Sequence, residues 1–321
     1  MANQLKNIIF RDDTKAREWL EAMLWPSGPI CPFCGSVDKA TALETRPGLY
    51  QCNETECRKQ FTVTVGTLFE RSHIPLSKWL MAAFLLCASK KGMSAHQMHR
   101  MIGVSYKSTW FMMHRLREAM KEGNPEPMGG SGPIQADETY FGPVANPRTT
   151  TVSGRPFTKS GKTGPSNKRP VIALVSGGKA RTFHVACADA KTVREILDTN
   201  ATREAELHTD ESRLYLTIGK EFAAHRKVNH KAGEYVGKAG ETINACENYF
   251  SIFKRGMRGV YQHCSEKHLH RYLAEFDFRY NARGKNGLDD ANRTAKALKG
   301  IVGKRLTYRR INQSRLPQAN S

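Results

Sequence analysis

Apolar residues in the first third of the chain recur at the spacing of α-helices. Residues 12–24 place Trp19, Leu20 and Met23 on one helical face. Residues 77–121 contain three further helical stretches, introduced by capping serines or separated by a glycine turn. This part of the chain is therefore predicted to be mainly helical.

The last two of these stretches have the organisation of a helix-turn-helix. A short helix, the turn Gly103-Val-Ser and a longer helix follow one another. On this interpretation the longer helix enters a DNA major groove, and its leading residues contact DNA: Ser105, Tyr106, Lys107 and Ser108. The alternative is an αα-hairpin in which Trp110, Met113 and Leu116 only fill a core.

Beyond a turn-rich segment at 124–133, short apolar runs typical of β-strands replace the helical pattern. The predicted elements are strands at 133–141, 170–176 and 181–187, a helix at 190–199, strands at 205–210 and near 225–230, and a helix at 241–256; a basic loop spans about 144–168. Three antiparallel strands followed by alternating helices and strands are typical of an RNase H-like α/β fold.

Four of the eight cysteines form two short-spaced pairs, Cys31 with Cys34 and Cys52 with Cys57. Two such pairs, with 17 residues between them, match tetrahedral thiolate ligation by the two knuckles of a zinc ribbon. Few apolar side chains surround them, so the metal is expected to supply folding free energy. Disulfides or free thiols remain the alternative.

The predicted fold class is thus multidomain α+β: a zinc ribbon and a helix-turn-helix followed by an RNase H-like α/β catalytic domain. The predicted domains are 1–65, an N-terminal helix and the zinc ribbon; 66–123, the helix-turn-helix; 133–285, the catalytic domain; and 286–321, a basic tail.

A strongly basic composition narrows the possible partners. The 321 residues include 50 Lys+Arg and 30 Asp+Glu, a formal net charge of +20. Such an excess favours a polyanionic partner, nucleic acid rather than membrane, although solvated basic faces are an alternative. No run of about 18 apolar residues and no signal-peptide core occur, so we expect a cytoplasmic protein.

Three acidic residues lie where phosphoryl transfer would need them. Asp137 and Asp210 each end a predicted strand, and Glu247 lies in a predicted helix. Three carboxylates suffice for Mg²⁺, which keeps water and substrate ligands, and two ions about 3.5–4 Å apart serve phosphoryl transfer. Each acid alone would more commonly be a turn or surface residue. Their joint occurrence in this order favours a metal site.

Neighbouring residues sharpen the choice of acids. Lys254 lies two helical turns after Glu247, on the same face, where a cation would sit beside a bound phosphate. Glu138 and Glu211 compete with the adjacent aspartates, but strand alternation points neighbouring side chains to opposite faces. Asn244 is a weaker rival of Glu247, because an amide lacks the charge.

These motifs, in this order, resemble a known family: the zinc-ribbon insertion-sequence transposases with a DDE catalytic domain. The resemblance spans residues 10 to 285 approximately and rests on Cys31-Pro-Phe-Cys34-Gly, Cys57-Arg-Lys-Gln-Phe with Gly66-Thr67, Asp137-Glu-Thr-Tyr-Phe-Gly, His208-Thr-Asp210, Asn229-His230, Glu247 with Lys254-Arg255-Gly256, and the segment from His268 to Asn281. The Cys52–Cys57 spacing is wider than usual. Some members carry Asn as the third acid, whereas this chain has Glu247.

The resemblance implies a bacterial or archaeal cut-and-paste transposase, nucleoid-associated in the cytoplasm. Asp137, Asp210 and Glu247 would bind two Mg²⁺ ions, for which Mn²⁺ can substitute. The enzyme would cut double-stranded DNA at terminal inverted repeats and join the freed 3′ ends to target DNA, as a homo-oligomer in the synaptic complex. Two alternatives remain: an RNase H-type nuclease or resolvase that does not join, and a zinc-ribbon DNA-binding regulator.

The C-terminal quarter carries much of the positive charge, since residues 248–321 contain 16 Lys+Arg against five Asp+Glu. Four arginines on the predicted catalytic helix and the aromatic-rich helix after it are expected to contact DNA phosphates: Arg255, Arg271, Arg279 and Arg283. Beyond residue 284 the hydrophobic pattern weakens, and a flexible or DNA-ordered arm is expected.

Overall fold

A computed structural model describes residues 5–144, 168–228, 241–284 and 288–307. The chain divides into two compact units. The first consists of Met1–Leu85, Ala95–Ala119 and Thr294–Ser321; the second consists of Leu86–Ser94 and Met120–Arg293. None of the described helices is long and apolar enough to cross a membrane.

Runs of helices and runs of strands follow one another along the described chain. The α-helices are α1 (Asp13–Leu24), α2 (Leu76–Ala88), α3 (Ala95–Ile102), α4 (Tyr106–Met120), α5 (Ala190–Asn200), α6 (Asn244–Gly256), α7 (Leu269–Asn281) and α8 (Asp290–Lys299). The strands are β1 (Ala40–Ala42), β2 (Tyr50–Cys52), β3 (Gln60–Phe61), β4 (Ile134–Pro143), β5 (Lys168–Ser176), β6 (Lys179–His184), β7 (Glu206–Thr209) and β8 (Ala224–Lys227). Every element predicted from the sequence pattern is confirmed, with shifts of one to three residues at most ends.

The first unit begins with a capped helix and a small antiparallel sheet. The Asp12 carboxylate accepts the Lys15 N–H at 3.0 Å, which starts α1. Strands β1, β2 and β3 pair in that order, and Tyr50 stacks on Phe61 with ring centroids 5.8 Å apart. The ring of Trp25 meets both of these rings edge-on. This aromatic cluster is a large part of what the ribbon buries.

Helices α3 and α4 are joined by a tight turn. Gly103 has φ of +67°, a left-handed conformation that favours glycine. Ser105 then caps α4, since its hydroxyl accepts the Ser108 N–H at 3.3 Å. Met98, Ile102 and other apolar residues of the two helices are buried. The short helix, turn and long helix expected from the sequence are present.

The second unit is built on a five-stranded sheet in the order β6-β5-β4-β7-β8. Strands β4, β5 and β6 pair antiparallel, whereas β7 and β8 run parallel to β4. One face of the sheet packs on α6 and α7, and its core includes Val171, Ala173 and Val175. The other face, with Ile172 and Leu174, packs on α5. Adjacent residues of a central strand therefore face different cores.

Side chains of α7 cover the exposed edge of this sheet. The amide of Asn281 accepts the Ala180 N–H at 2.7 Å and donates to the Ala180 carbonyl at 2.9 Å. The Asp277 carboxylate accepts the Thr182 N–H at 3.0 Å. Because these bonds satisfy backbone groups on the free edge of β6, they block its pairing with another strand.

The C-terminal tail differs from the prediction. Residues 290–299 form α8, and Ala297, Leu298 and Ile301 are buried in the first unit. The Ile301 carbonyl accepts the Leu68 N–H at 3.1 Å, and the Gly303 N–H donates to the Gly66 carbonyl at 2.9 Å. The expectation of a flexible or DNA-ordered arm is wrong for residues 288–307, because three apolar positions dock on existing structure. Residues 308–321 lie outside the described residues.

Other boundaries also shift. Residues 1–65 and most of 66–123 fall in one compact unit instead of two domains. The predicted linker packs within the second unit: Met128 is buried, and its N–H donates to the Asn200 carbonyl at 2.7 Å. Nearly all of the predicted basic loop, together with Asn229 and His230, lies outside the described residues.

Arg279 has a buried acidic partner. Its side chain is only 9% exposed and forms an ion pair with Glu275, which is fully buried. The guanidinium also donates to the Ser89 carbonyl. The charge of Arg279 is therefore already matched inside the second unit, which counts against the phosphate contact predicted for it.

Breaking this buried pair should cost more than breaking an exposed one. We expect Glu275→Ala to lower the free energy of unfolding by about 3–5 kcal/mol, because it leaves a buried arginine uncompensated. Urea denaturation monitored by circular dichroism measures this. Glu195→Ala is the matched control: it removes the exposed (i, i+4) pair with Lys191 and should cost under about 1 kcal/mol. Equal losses in the two variants would contradict the assignment.

Candidate active site and metal centre

The four predicted zinc ligands converge in the first unit. Cys31 and Cys34 come from the first knuckle, Cys52 ends β2, and Cys57 follows in the second knuckle. Their sulfur atoms all lie within 4.8 Å of one another. Two of the separations, Cys31–Cys57 and Cys34–Cys52, are 3.7 Å.

These separations fit a tetrahedral zinc ion. Four thiolates at about 2.3 Å from zinc lie about 3.8 Å apart along each edge of the tetrahedron. Hydrogen bonds from Ser36 lower the pKa of the Cys34 thiol to about 6, which favours the ligating thiolate. The wider Cys52–Cys57 spacing has not disturbed the geometry. The four-cysteine cluster thus supports a structural zinc ion.

In the second unit, sheet register brings two of the predicted acids together. Strands β4 and β7 are parallel neighbours, with Ile134 opposite Leu207 and Gln135 opposite His208. Asp137 lies within β4 and not at a strand end as expected, because β4 continues to Pro143 in its pairing with β5. Continued by two residues, the β4–β7 register sets Asp137 beside Asp210, which directly follows β7. The Asp210 carboxylate accepts the Ser212 N–H at 2.9 Å, which holds the turn after the strand.

Asp137 is the electrostatic centre of this group. The pKa of its carboxyl is raised to about 8. Burial is the largest cause, and the negative charges of Glu138, Asp210 and Glu247 add to it. Glu247 lies exposed in the first turn of α6 and acts on Asp137 from there. Both other predicted acids are thus close enough to act on Asp137.

The acid cluster is more open than the cysteine cluster. Among the described residues, the four cysteines are the group of three or more potential ligands whose ligand atoms all lie within 4.8 Å of one another. A pair of ions about 3.5–4 Å apart does not require three carboxylates around a single point. Carboxylates that converge on one another in this way are a donor set that suits hard divalent cations.

Glu138 faces away from this cluster. Across the β4–β5 pair, Asp137 lies opposite Ala173 and Glu138 opposite Ile172, and these two partners belong to different cores. The Glu138 carboxylate instead accepts the hydroxyl of the fully buried Tyr215 at 3.0 Å. Its pKa is raised chiefly by burial. Glu138 thus has a structural partner on the α5 side of the sheet.

Lys254 is placed to act on the same cluster. Burial and the nearby cations Arg258 and Lys168 lower the pKa of Lys254. The Asp137 charge raises this pKa and offsets only part of the effect. Lys254 also lies over the Phe250 ring, with its nitrogen 5.9 Å from the centroid. A half-buried cation beside the acids is a suitable neighbour for a substrate phosphate.

Three predicted DNA-contacting arginines share a basic cavity in the second unit. Arg255, Arg279 and Arg283 line a space of about 370 Å³ together with Lys90 and Lys91, which sequence reasoning missed. The Lys90-Lys91 pair directly after α2 was the available signal. Arg283 lies over the Tyr280 ring at 3.8 Å from its centroid.

The remaining predicted DNA contacts have varied surroundings. Arg271 donates to His268 Nδ1 at 2.8 Å. Tyr106 is 43% exposed and stacks on His96, with centroids 4.2 Å apart. Lys107 is exposed, while Ser105 and Ser108 bond to each other at 3.0 Å. Ser105, Tyr106 and Lys107 are therefore the exposed residues at the start of α4.

Comparisons with known proteins agree with these two centres. Residues 11–60 match the transposase zinc-ribbon domain, and residues 130–281 match the ISXO2-like transposase domain. A protein of the transposable element ISH50 of Halobacterium salinarum, itself uncharacterized, is 29% identical over 304 residues, covering 89% of this chain and 98% of the relative. The chain belongs to the zinc-ribbon insertion-sequence transposases.

The family supports a transposase enzyme that acts on DNA, with a zinc ribbon ahead of a mixed α/β domain. Among solved structures, the transposase has a faint likeness to a chain of the simian T-cell lymphotropic virus intasome in complex with PP2A regulatory subunit B56 gamma. It has 11% identity and a TM-score of 0.29, covering 76% of this chain and 78% of that one. That TM-score is too low to bear on the fold.

Zinc content tests the cysteine cluster. We expect one zinc ion per chain by elemental mass spectrometry, and Cys34→Ser should lower zinc occupancy and expose the ribbon to protease, because a structural ion contributes folding free energy. Cys187→Ser, an exposed cysteine outside the cluster, is the control and should keep the metal. Full zinc occupancy in the Cys34 variant would count against tetrahedral ligation.

The repulsion at Asp137 predicts a stabilising substitution. Because its folded pKa is raised above the ordinary value, the folded state loses stability as pH rises from about 4 to 8. In EDTA at pH 8, Asp137→Asn should therefore raise the unfolding temperature by about 2–4 °C for each kcal/mol relieved. The gain should shrink towards pH 4. Differential scanning calorimetry at both pH values measures this.

Asp277→Asn is the contrasting control. Burial raises the pKa of Asp277 to about 7, but its carboxylate accepts hydrogen bonds from Thr182 and from Tyr249, the latter at 2.6 Å. An amide cannot accept all of these, so this variant should lose stability. A loss of stability in Asp137→Asn as well would contradict the repulsion.

Proposed function

We propose that the chain is a DNA transposase in which Asp137, Asp210 and Glu247 hold two Mg²⁺ ions, for which Mn²⁺ can substitute. The observation that carries the proposal is the convergence of Asp210 and Glu247 on the half-buried Asp137, where their charges raise its pKa. One acid lies on the central strand, one at the end of its parallel neighbour, and one on a helix packed on that face.

The sheet supports an RNase H-like catalytic fold for the second unit. Three antiparallel strands, β4 to β6, are followed by β7 and β8 on the other side of β4, running parallel to it. This order places the first and fourth strands of the sheet side by side, with Asp137 and Asp210 at neighbouring positions.

Bound by these carboxylates, the ions would activate the attacking oxygen and stabilise the leaving oxygen of the phosphodiester. The chain's own residues set the geometry: Asp137 and Asp210 are fixed by strand register, and Glu247 by its place on α6. Lys254 would bind a phosphate oxygen of the scissile strand and offset charge that develops there. Water would attack first, and the freed 3′ hydroxyl would then attack target DNA.

DNA recognition is assigned to surfaces of both units. In the first unit, α3 and α4 have helix-turn-helix organisation, and Tyr106 and Lys107 are open to a major groove. In the second, Lys90, Lys91 and Arg255 would contact the DNA backbone. Paired ends imply a homo-oligomer in the synaptic complex.

Catalysis is tested with a DNA fragment that carries the inverted repeats flanking the reading frame. Asp137→Ala, Asp210→Ala and Glu247→Ala should each reduce cleavage about 10³-fold or more, since several kcal/mol of charge stabilisation is lost, while DNA binding persists. Gel assays of cleavage and strand transfer in Mg²⁺ measure both steps. The neighbours Glu211→Ala and Asn244→Ala are matched controls and should remain active.

Each outcome bears on a different part of the proposal. Retained cleavage in any one acid variant would remove that residue from the site. Cleavage without joined products would favour a nuclease, and specific binding with no metal-dependent cleavage would favour a regulator.

A further inference from the structure

The residue that precedes helix α6 does not cap it. Ile243 cannot accept a hydrogen bond through its side chain, and the N–H of the first helical residue, Asn244, donates to the Thr242 hydroxyl at 3.1 Å. The first N–H groups of any helix lack partners within the helix and must find them elsewhere. For α6 the start matters, because Glu247 lies in its first turn.

Gln135 of β4 supplies one such partner. Its side-chain Oε1 accepts the Ala245 N–H at 2.9 Å. Its backbone carbonyl accepts the thiol of the fully buried Cys246 at 3.3 Å. The two residues that immediately precede Glu247 are thus both attached to Gln135.

His208 of β7 supplies a second attachment one strand away. Its Nδ1 accepts the Thr242 N–H at 3.4 Å. The other ring nitrogen, Nε2, faces the Glu206 carboxylate at 3.4 Å. Glu206 is itself held by Arg226 at 3.1 Å. The ring orientation therefore follows from a chain of contacts along β7 and β8.

The two residues that anchor α6 are placed on β4 and β7 in the same way as the two aspartates. Gln135 and His208 lie opposite each other in the β4–β7 pair, each two residues before an aspartate of the proposed site. Residues two apart on a strand face the same side, so each strand carries one acid and one anchor for α6. The same two strands that present Asp137 and Asp210 thereby fix where Glu247 begins.

We propose that Gln135 and His208 are positioning residues, which set the distance of Glu247 from the two aspartates by anchoring the start of α6. This rests on the proposed function. Neither residue is assigned to metal or DNA binding. Loss of an anchor would let the first turn of α6 move, and displacements of about 1 Å at a reacting centre can cost about 100-fold in rate.

The test uses the full chain. Its readout is the divalent-ion dependence of cleavage and ion binding, which a change in stability alone does not alter. Gln135→Met keeps side-chain length but removes the acceptor. We expect the Mg²⁺ concentration for half-maximal cleavage, and the Mn²⁺ dissociation constant measured by electron paramagnetic resonance, to rise about 10- to 100-fold. Gln135→Glu restores an acceptor and should recover most of the affinity. His208→Phe should shift both in the same direction, but less, because its bond is longer.

Val175→Ala is the matched control for lost packing. Val175 is buried, lies opposite Gln135 on β5 and belongs to the same core as α6. This variant should unfold at lower temperature with unchanged Mn²⁺ affinity. A Gln135→Met protein that titrates like wild type would overturn the inference while leaving the proposed function intact. Wild-type protein that neither binds Mn²⁺ at these acids nor cleaves DNA would overturn both.

Discussion

Repulsion between Asp137 and the carboxylates around it is the constraint around which the second unit is arranged. Burial and three negative neighbours raise the pKa of Asp137 to about 8, so its ionised form destabilises the fold. Such an arrangement persists only where surrounding packing offsets its cost. Here the offset comes from the core shared by α6, α7 and the sheet. A divalent cation would reverse the local electrostatics and make the same carboxylates favourable neighbours.

Polar side chains on α7 show how the surrounding structure is kept rigid. Glu275 and Arg279 neutralise each other in the interior, while Asp277 and Asn281 bond to the edge strand. Each pair is spaced four residues apart, so each occupies one helical face. Through these contacts α7 is held to the sheet by directional bonds as well as by apolar packing. That rigidity extends to α6, which packs on the same core and carries Glu247.

Local signals accounted for most of the fold and for the cysteine cluster. Capping residues such as Asp12 mark helix starts, and strand alternation correctly separated the face of Asp137 from that of Glu138. Contacts between distant segments could not be inferred in this way. The burial of Ile301 depends on residues more than 200 positions away, and no spacing rule links Gln135 to Ala245. The ion pair of Arg279 with Glu275, four residues earlier, follows a spacing that was visible in the sequence.

The ion pair between Arg279 and Glu275 also changes how the positive charge of the chain should be interpreted. An arginine-rich helix suggests a DNA-binding surface. A buried guanidinium that is matched by a carboxylate, however, releases no counterions when DNA binds. Only cations that remain accessible contribute to the salt dependence of binding. In the second unit these include Arg255 and the Lys90-Lys91 pair, which come from different segments and meet in one cavity. The electrostatic footprint for DNA therefore follows from tertiary structure, and the count of basic residues along any one helix overestimates it.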